Sequence, residues 1–295
     1  MRTVPPSLWQ DYLACRTATR HYENFNVVSL LVPTGLRPHF WAIYAYCRTV
    51  DDLGDEYAGD RMAALADLER ELERALTGKA TRPYFRALQD TIQRFDLPSS
   101  AFFRLIEANR RDQQARGYRT FQEVREYCSY SAEPVGHLVL ALFGFRDVER
   151  LALSDATTTA LQLTNFWQDV ERDLDRGRIY LPAEDCERFG VARGMLASRH
   201  GSQAVRDLMA FEVERTRALF AQGARLESMV PVRLRLQLRL YRLGGETILD
   251  ALSAQAFDPF QGRPEVSRRQ KLGIVWRALW QRAPVQGSES PAIRR

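Results

Sequence analysis

Lysine is almost absent from this 295-residue chain: Lys79 and Lys271 are the only two among 42 basic residues. Arginine therefore carries nearly all the positive charge behind a net +5. Its planar fork suits phosphate and carboxylate, whereas lysine is a compact, strongly hydrated point charge. The arginines are dispersed and no nucleic-acid motif accompanies them, so nucleic acid is not expected as a partner. Cysteine is scarce too. Cys15, Cys47, Cys128 and Cys186 lie far apart with no C-x-x-C pair, which argues against both zinc and a disulfide framework. His21, His39, His137 and His200 show no ligand spacing. No apolar run approaches the roughly 18 residues of a spanning helix. The opening MRTVPPSLWQDYLACRTATRHY lacks a signal-peptide core. A cytoplasmic protein is the expectation.

Nothing divides the chain. No linker, repeat or composition break is visible, so residues 1–283 are expected to form one domain and 284–295 a disordered tail. Apolar residues recur at helical spacing, as in Leu65, Leu68, Leu72, Ala75 and Leu76, and no alternating strand with a hairpin turn appears. The fold class expected is all-α. Helices are expected from Pro5-Pro6-Ser7 to about Arg20, over Asp60 to Thr77, Tyr84 to Phe95 and Ser99 to Arg116, and from Arg199 to Met229. Ser154 is the expected cap of a long central helix. Thr120 to Gly144 reads as a helix interrupted by Pro134 and Gly136, either to make room for a ligand or for packing alone.

The chain turns on Leu161 to Pro182, LQLTNFWQDVERDLDRGRIYLP. Read as a helix, it sets Asn165, Asp169 and Asp173 at steps of four, which drift only about 80° around the axis. Leu161, Leu163, Phe166, Val170 and Leu174 mark the opposite, buried stripe. A carboxylate row on a buried helix is costly unless a positive partner sits on it. Oxygen-only ligands suit Mg²⁺ bridging to phosphate. A second stretch, RPHFWAIYAYCRTVDDLGDEYAGD from Arg37 to Asp60, repeats the device. Asp51 and Asp55 are again four apart, as are Asp52 and Glu56, after an apolar run that reads as a core helix. Two such rows facing each other across a cavity could hold Mg²⁺ and a diphosphate.

These two segments resemble the paired aspartate-rich motifs of the squalene/phytoene synthase family, all-helical enzymes that ionise isoprenoid diphosphates. Tyr127 to Gly136, YCSYSAEPVG, resembles the family's Y-C-x-x-x-A-x-x-V-G helix, and Gly177 to Pro182, GRIYLP, its G-R-x-Y-L-P turn. The similarity runs from about His21 to Lys271. It implies an isoprenoid synthase helical bundle with a central cavity. It further implies Mg²⁺ held by Asp51, Asp55, Asn165, Asp169 and Asp173, with Asp51, Asp55, Asp169 and Tyr127 as the catalytic set. Arg48, Gln162, Arg178, Tyr180, Arg263, Asn24 and Phe25 would bind the substrate and its diphosphate. Phe25, Tyr44, Tyr127, Phe166 and Trp167 are candidates for an aromatic wall that tolerates a carbocation.

Three departures sharpen the resemblance. Phytoene and dehydrosqualene synthases commonly carry H-S-x-S-F where this chain has His21-Tyr22-Glu23-Asn24-Phe25. They read N-I-L-R-D where it has Asn165-Phe166-Trp167-Gln168-Asp169. The tyrosine expected ahead of Ile248-Leu249 falls near Gly245, with Tyr241 one turn earlier. HYENF and NFWQDV together resemble the hydroxysqualene-forming members of the bacterial hopanoid pathway. That implies presqualene diphosphate and water as substrates, hydroxysqualene and diphosphate as products, and functional coupling to other squalene-pathway enzymes. No NADPH is expected, in keeping with the absence of a G-x-G-x-x-G after a strand. Glu133, Tyr127 and the departing diphosphate all remain open as acceptors of the water proton. The alternatives are a head-to-head prenyl synthase, a non-catalytic interaction protein of the same fold, and an all-helical nucleotide pyrophosphohydrolase. The last helix, Ser267 to Gln281, is basic and bears Leu272, Val275, Trp276, Leu279 and Trp280. It is expected either to pack on the core or to lie in a membrane interface, which would place the protein on the inner face of the membrane.

Overall fold

The structure, a computed structural model, describes residues 4–18, 31–114 and 117–280. Asn24, Phe25 and the expected tail lie outside the described residues. Among the described residues every regular element is a helix, as the periodicity predicts. In chain order these are α1 (Trp9–Ala18), α2 (Arg37–Asp55), α3 (Arg61–Leu76), α4 (Pro83–Phe95), α5 (Ser99–Gln114), α6 (Phe121–Ser131) and α7 (Glu133–Leu142). There follow α8 (Val148–Gln168), α9 (Val170–Asp175), α10 (Ala183–Arg188), α11 (Arg193–Ala197), α12 (Gln203–Gly223), α13 (Val232–Ala254) and α14 (Arg268–Trp280). Short 3₁₀ segments, Pro6–Leu8 and Ala224–Met229, lead into α1 and out of α12.

Local chemistry sets the boundaries. The Asp60 carboxylate accepts from Ala63 N–H at 3.0 Å and opens α3. Thr120 and Glu123 form a reciprocal capping box at the start of α6, an arrangement that stabilises a helix start by about 1 kcal/mol. Asp147, accepting from Arg150 N–H at 3.1 Å, caps α8; Ser154, the expected cap, lies buried inside the helix. The 120–144 segment breaks at Ala132, so that Pro134 falls in the first turn of α7, where its missing N–H costs nothing. A Cβ on Gly136 would collide with Ser154 Oγ. Packing of α7 on α8 therefore accounts for this glycine. The segment 199–229 is shorter than expected as an α-helix, running only from Gln203 to Gly223 before its 3₁₀ continuation.

Among the described residues two large apolar cores stand out beside smaller clusters. One lies between α2, α3, α4, α5 and α7, around Phe40, Ile43, Leu72, Phe102 and Leu138. The other lies around α8, with Leu163, Phe166, Trp167, Val213, Phe220 and Leu249. A Cβ on Gly245 would stand 2.5 Å from the Phe220 ring and 3.1 Å from Leu161. The residue where a tyrosine was expected is thus the point where α13 packs closely on α8 and α12.

Buried ions tie the helices. Glu227 accepts from Arg239 Nε at 2.6 Å and from Arg242 Nε at 2.7 Å, all three side chains being nearly inaccessible. Arg239 also donates to the carbonyl of Ala278 at 3.1 Å, which fixes α14 to α13. On α12, Glu212 is fully buried beside Arg215, which reaches Asp185 of α10 at 2.8 Å. Burial, opposed by Arg215 and reinforced by Asp185, pushes the Glu212 carboxyl up to about 8 from 4.5. The native state then holds a proton that the unfolded chain has lost. Stability should be fully present below pH 4.5 and fall as pH rises toward 8. Glu212→Gln should flatten that part of the profile, measured as the melting temperature across the same window; an unchanged slope would refute the assignment.

Candidate active site

The first acidic row stands on the last turn of α2. Solvent reaches Asp51, yet the protein packed around its carboxyl desolvates it. That desolvation pushes its carboxyl up to about 7; Asn109 and Arg48 oppose the rise, and Asp55 and Asp52 add to it. Gly54 makes the approach possible, because a Cβ there would collide with the Asn109 side chain of α5. Gln113 of α5 donates to the Gly54 carbonyl at 3.0 Å and locks the two helices. The second row of the same turn, Asp52 and Glu56, engages Arg48, with Arg48 Nη2 2.8 Å from Glu56.

The other acidic row is less regular than a single helix. The α-helix ends at Gln168, and Asp169 links α8 to α9 with φ −108° and ψ 17°. The hydrogen-bond ladder nonetheless continues, from Asp169 N–H to Asn165 O and from Asp173 N–H to Asp169 O, both at 2.9 Å. The row Asn165, Asp169, Asp173 survives the break. Leu163, Phe166 and Val170 are buried alongside the row, while Leu161 and Leu174 are half-buried. Burial, with the neighbouring charge of Asp169, pushes Asp173 up to about 7.

The rows meet. After α9, Gly177 takes a positive φ of 72° and turns the chain so that Arg178 Nη1 lies 2.9 Å from Asp55 Oδ1, with Arg176 at 3.7 Å from the other oxygen. A residue of the second motif thus grips an acid of the first. Arg263, from the loop after α13, holds Asp169 in a fork, at 2.6 and 3.1 Å. Gln168 pins that loop by donating to the Pro264 carbonyl at 2.5 Å.

Between the rows stands Asp112 of α5, which sequence reasoning missed. It accepts from Tyr127 Oη at 2.5 Å and from Tyr180 Oη at 3.1 Å. It is near enough to feel the charge of Asp55 and to impose its own on Asp173. Burial raises its pKa, against the hydrogen bond from Tyr127 and the charge of Arg178. The same burial takes the Tyr127 and Tyr180 phenols far above their ordinary value. Tyr180 stacks on Phe166 at 3.7 Å, and Tyr118 stacks on Tyr180 at 5.8 Å. The available signal was ANRRDQ, where Asn109, Asp112 and Gln113 share one face of a helix that also buries Leu105 and Ala108.

Other expected residues divide. Asn165 is exposed and Gln162 half-buried on α8. Arg48 lies on Asp52 and Glu56 rather than over Asp51 alone. Trp167 is fully buried, and its indole N–H donates to Thr216 of α12 at 2.8 Å. Tyr241 lines a cavity of about 260 Å³ between α8, α13 and α14, which reaches Asn165.

A family model for squalene/phytoene synthase matches residues 18–270. The chain belongs to the squalene/phytoene synthase family. Its members are prenyltransferase-type enzymes, and the all-α single-domain fold is theirs. The chain is 57% identical to the structure of squalene synthase HpnC from Alicyclobacillus acidocaldarius, with a TM-score of 0.84, covering 87% of this chain and 98% of that one. A dehydrosqualene synthase solved with ligand superposes with a TM-score of 0.85 at 26% identity, over 92% and 96% of the two chains. The 15-cis-phytoene synthase of Synechococcus elongatus is 33% identical over 90% of this chain and 91% of its own length. An isoprenoid diphosphate substrate is in keeping with the family. Among the described residues no helix is long and apolar enough to cross a membrane.

Proposed function

We propose that the chain converts presqualene diphosphate and water into hydroxysqualene and diphosphate. The observation that carries this reading is the 57% identity to HpnC, against 33% to phytoene synthases over similar spans. The sequences HYENF and NFWQDV, at 21–25 and 165–170, favour the same branch. The carbon–oxygen bond to diphosphate breaks with its electron pair leaving on the diphosphate. Water oxygen forms the new bond to that carbon skeleton and releases one proton. Coupling to other enzymes of squalene formation, which must supply presqualene diphosphate, follows from the same reading.

The donor set fits Mg²⁺. Asp51, Asp55, Asn165, Asp169 and Asp173 each offer a side-chain oxygen, and a cation would offset the desolvation and like charges that raise the Asp51 and Asp173 carboxyls. Among the described residues no three acids converge as a ready-made ion site. Phosphate oxygens and water would therefore complete the coordination, as Mg²⁺ prefers. Bound there, Mg²⁺ would neutralise charge developing on the departing diphosphate. Arg178 and Arg263 stand ready to exchange a carboxylate for a phosphate partner of the same fork geometry. Tyr127 and Tyr180, both tied to Asp112, orient their hydroxyls at the seam. The cluster of Tyr127, Phe166 and Tyr180 sets aromatic rings beside the proposed ionisation site, where π electrons tolerate cationic charge.

With presqualene diphosphate, Mg²⁺ and water labelled with heavy oxygen, the purified protein should yield an alcohol carrying the label and need no nicotinamide cofactor. The phytoene synthase relatives favour a second reading, head-to-head condensation. A C30 or longer hydrocarbon or diphosphate made from prenyl diphosphates alone, without labelled alcohol from presqualene diphosphate, would establish that reading and overturn the first.

A further inference from the structure

We propose that the outward face of α14 docks on an anionic lipid bilayer. Leu272, Trp276, Leu279 and Trp280 are 72%, 64%, 61% and 73% exposed. At 100° per residue they fall within about 100° of one another on the helix. The Trp276 and Trp280 rings lie side by side, centroids 6.5 Å apart. The opposite side is committed to the protein. Ala278 is buried, its carbonyl is held by Arg239, and Ile274 lines the cavity that reaches Asn165. The helix therefore cannot roll its tryptophans inward without breaking that anchor.

Charge selects the occupant. The helix carries Arg268, Arg269, Lys271 and Arg277, all exposed, and no acid. Exposed tryptophan and leucine beside arginine are the composition of an interfacial helix on anionic lipid. Two copies meeting through this face would bring like charges together across a two-fold axis, which disfavours self-association. Residues 281–295, QRAPVQGSESPAIRR, contain only Val285 and Ile293 as larger aliphatic residues and no aromatic. They are poorly matched to cover two indoles and two leucines. If the substrate is the isoprenoid diphosphate proposed above, a docked α14 holds the cavity wall formed by Ile274 and Val275 against the phase where the prenyl chains dissolve.

Sedimentation with vesicles of phosphatidylcholine plus phosphatidylglycerol, against phosphatidylcholine alone, tests the inference on the full chain. Each cation at an anionic surface strengthens binding about fivefold, so the arginines together should give about a hundredfold preference for the anionic vesicles, lost at high salt. Trp276→Ser with Trp280→Ser should weaken binding by at least about tenfold. Its circular dichroism, melting temperature and turnover of detergent-dispersed substrate should match the unaltered protein. Arg268→Gln with Arg269→Gln should lower the salt dependence while keeping residual binding. Equal binding by the parent and the tryptophan variant would overturn the proposal. So would no binding at all, or a dimer in solution that the tryptophan variant converts to monomer. Loss of vesicle binding with turnover intact separates this proposal from the reaction proposed above.

Discussion

Asp51→Asn is expected to lower turnover by about a thousandfold while raising the melting temperature of the metal-free protein. The two effects have one cause. Solvent reaches Asp51, but desolvation by the protein around it and the charges of Asp55 and Asp52 disfavour its ionised carboxylate unless a cation sits on it. Asparagine keeps the shape and the oxygen but removes the charge. The fold gains what the site loses, the usual trade at a preorganised centre. Steady-state assays with Mg²⁺ and thermal melts in chelator measure the two arms. Turnover within a few-fold of the parent would remove Asp51 from the site. A lower melting temperature with activity lost would instead make the residue structural.

Glu227→Ala should destabilise the protein by about 3–5 kcal/mol, because it strands two buried guanidinium groups. For a chain of this size that corresponds to a fall of roughly 8 °C in melting temperature. The loss belongs to uncompensated charge more than to the ion pairs themselves. Glu227→Leu combined with Arg239→Met and Arg242→Met should therefore recover most of it, since a well-packed apolar replacement of a buried triad is often neutral or better. Denaturant midpoints of the single and triple variants decide the matter. A single variant within 1 kcal/mol of the parent, a threshold set against the roughly 3–5 kcal/mol expected, would show that water already reaches the network.

Much of this fold was readable because helices announce themselves. The apolar spacing placed helices over Asp60 to Thr77 and Tyr84 to Phe95, each within a residue of α3 and α4 as they lie. The break inside the second acidic row was not readable. Nothing in NFWQDVERD marks Asp169 as a helix end, and the row persists only because its hydrogen bonds bridge the break. Trp167 shows the limit for aromatics: its neighbour Phe166 faces Tyr180, yet one residue on the ring points into the α8–α12 core. Asp112 escaped notice for a different reason. Sequence motifs are local, and its role arises from hydroxyls 15 and 68 positions away. The partners of Arg178 and Arg263, 123 and 94 residues distant, are likewise tertiary facts.

The near-absence of lysine has a practical corollary. An amine-directed electrophile meets only two side-chain amines, and they occupy contrasting places: Lys79 sits on the open turn between α3 and α4, while Lys271 borders the cavity under α14. Chemistry that is indiscriminate on most proteins becomes addressable here. A reversible aldehyde carried on a greasy tail could be anchored at one wall of the chamber, giving a covalent handle for inhibitors or spectroscopic labels without any engineered residue.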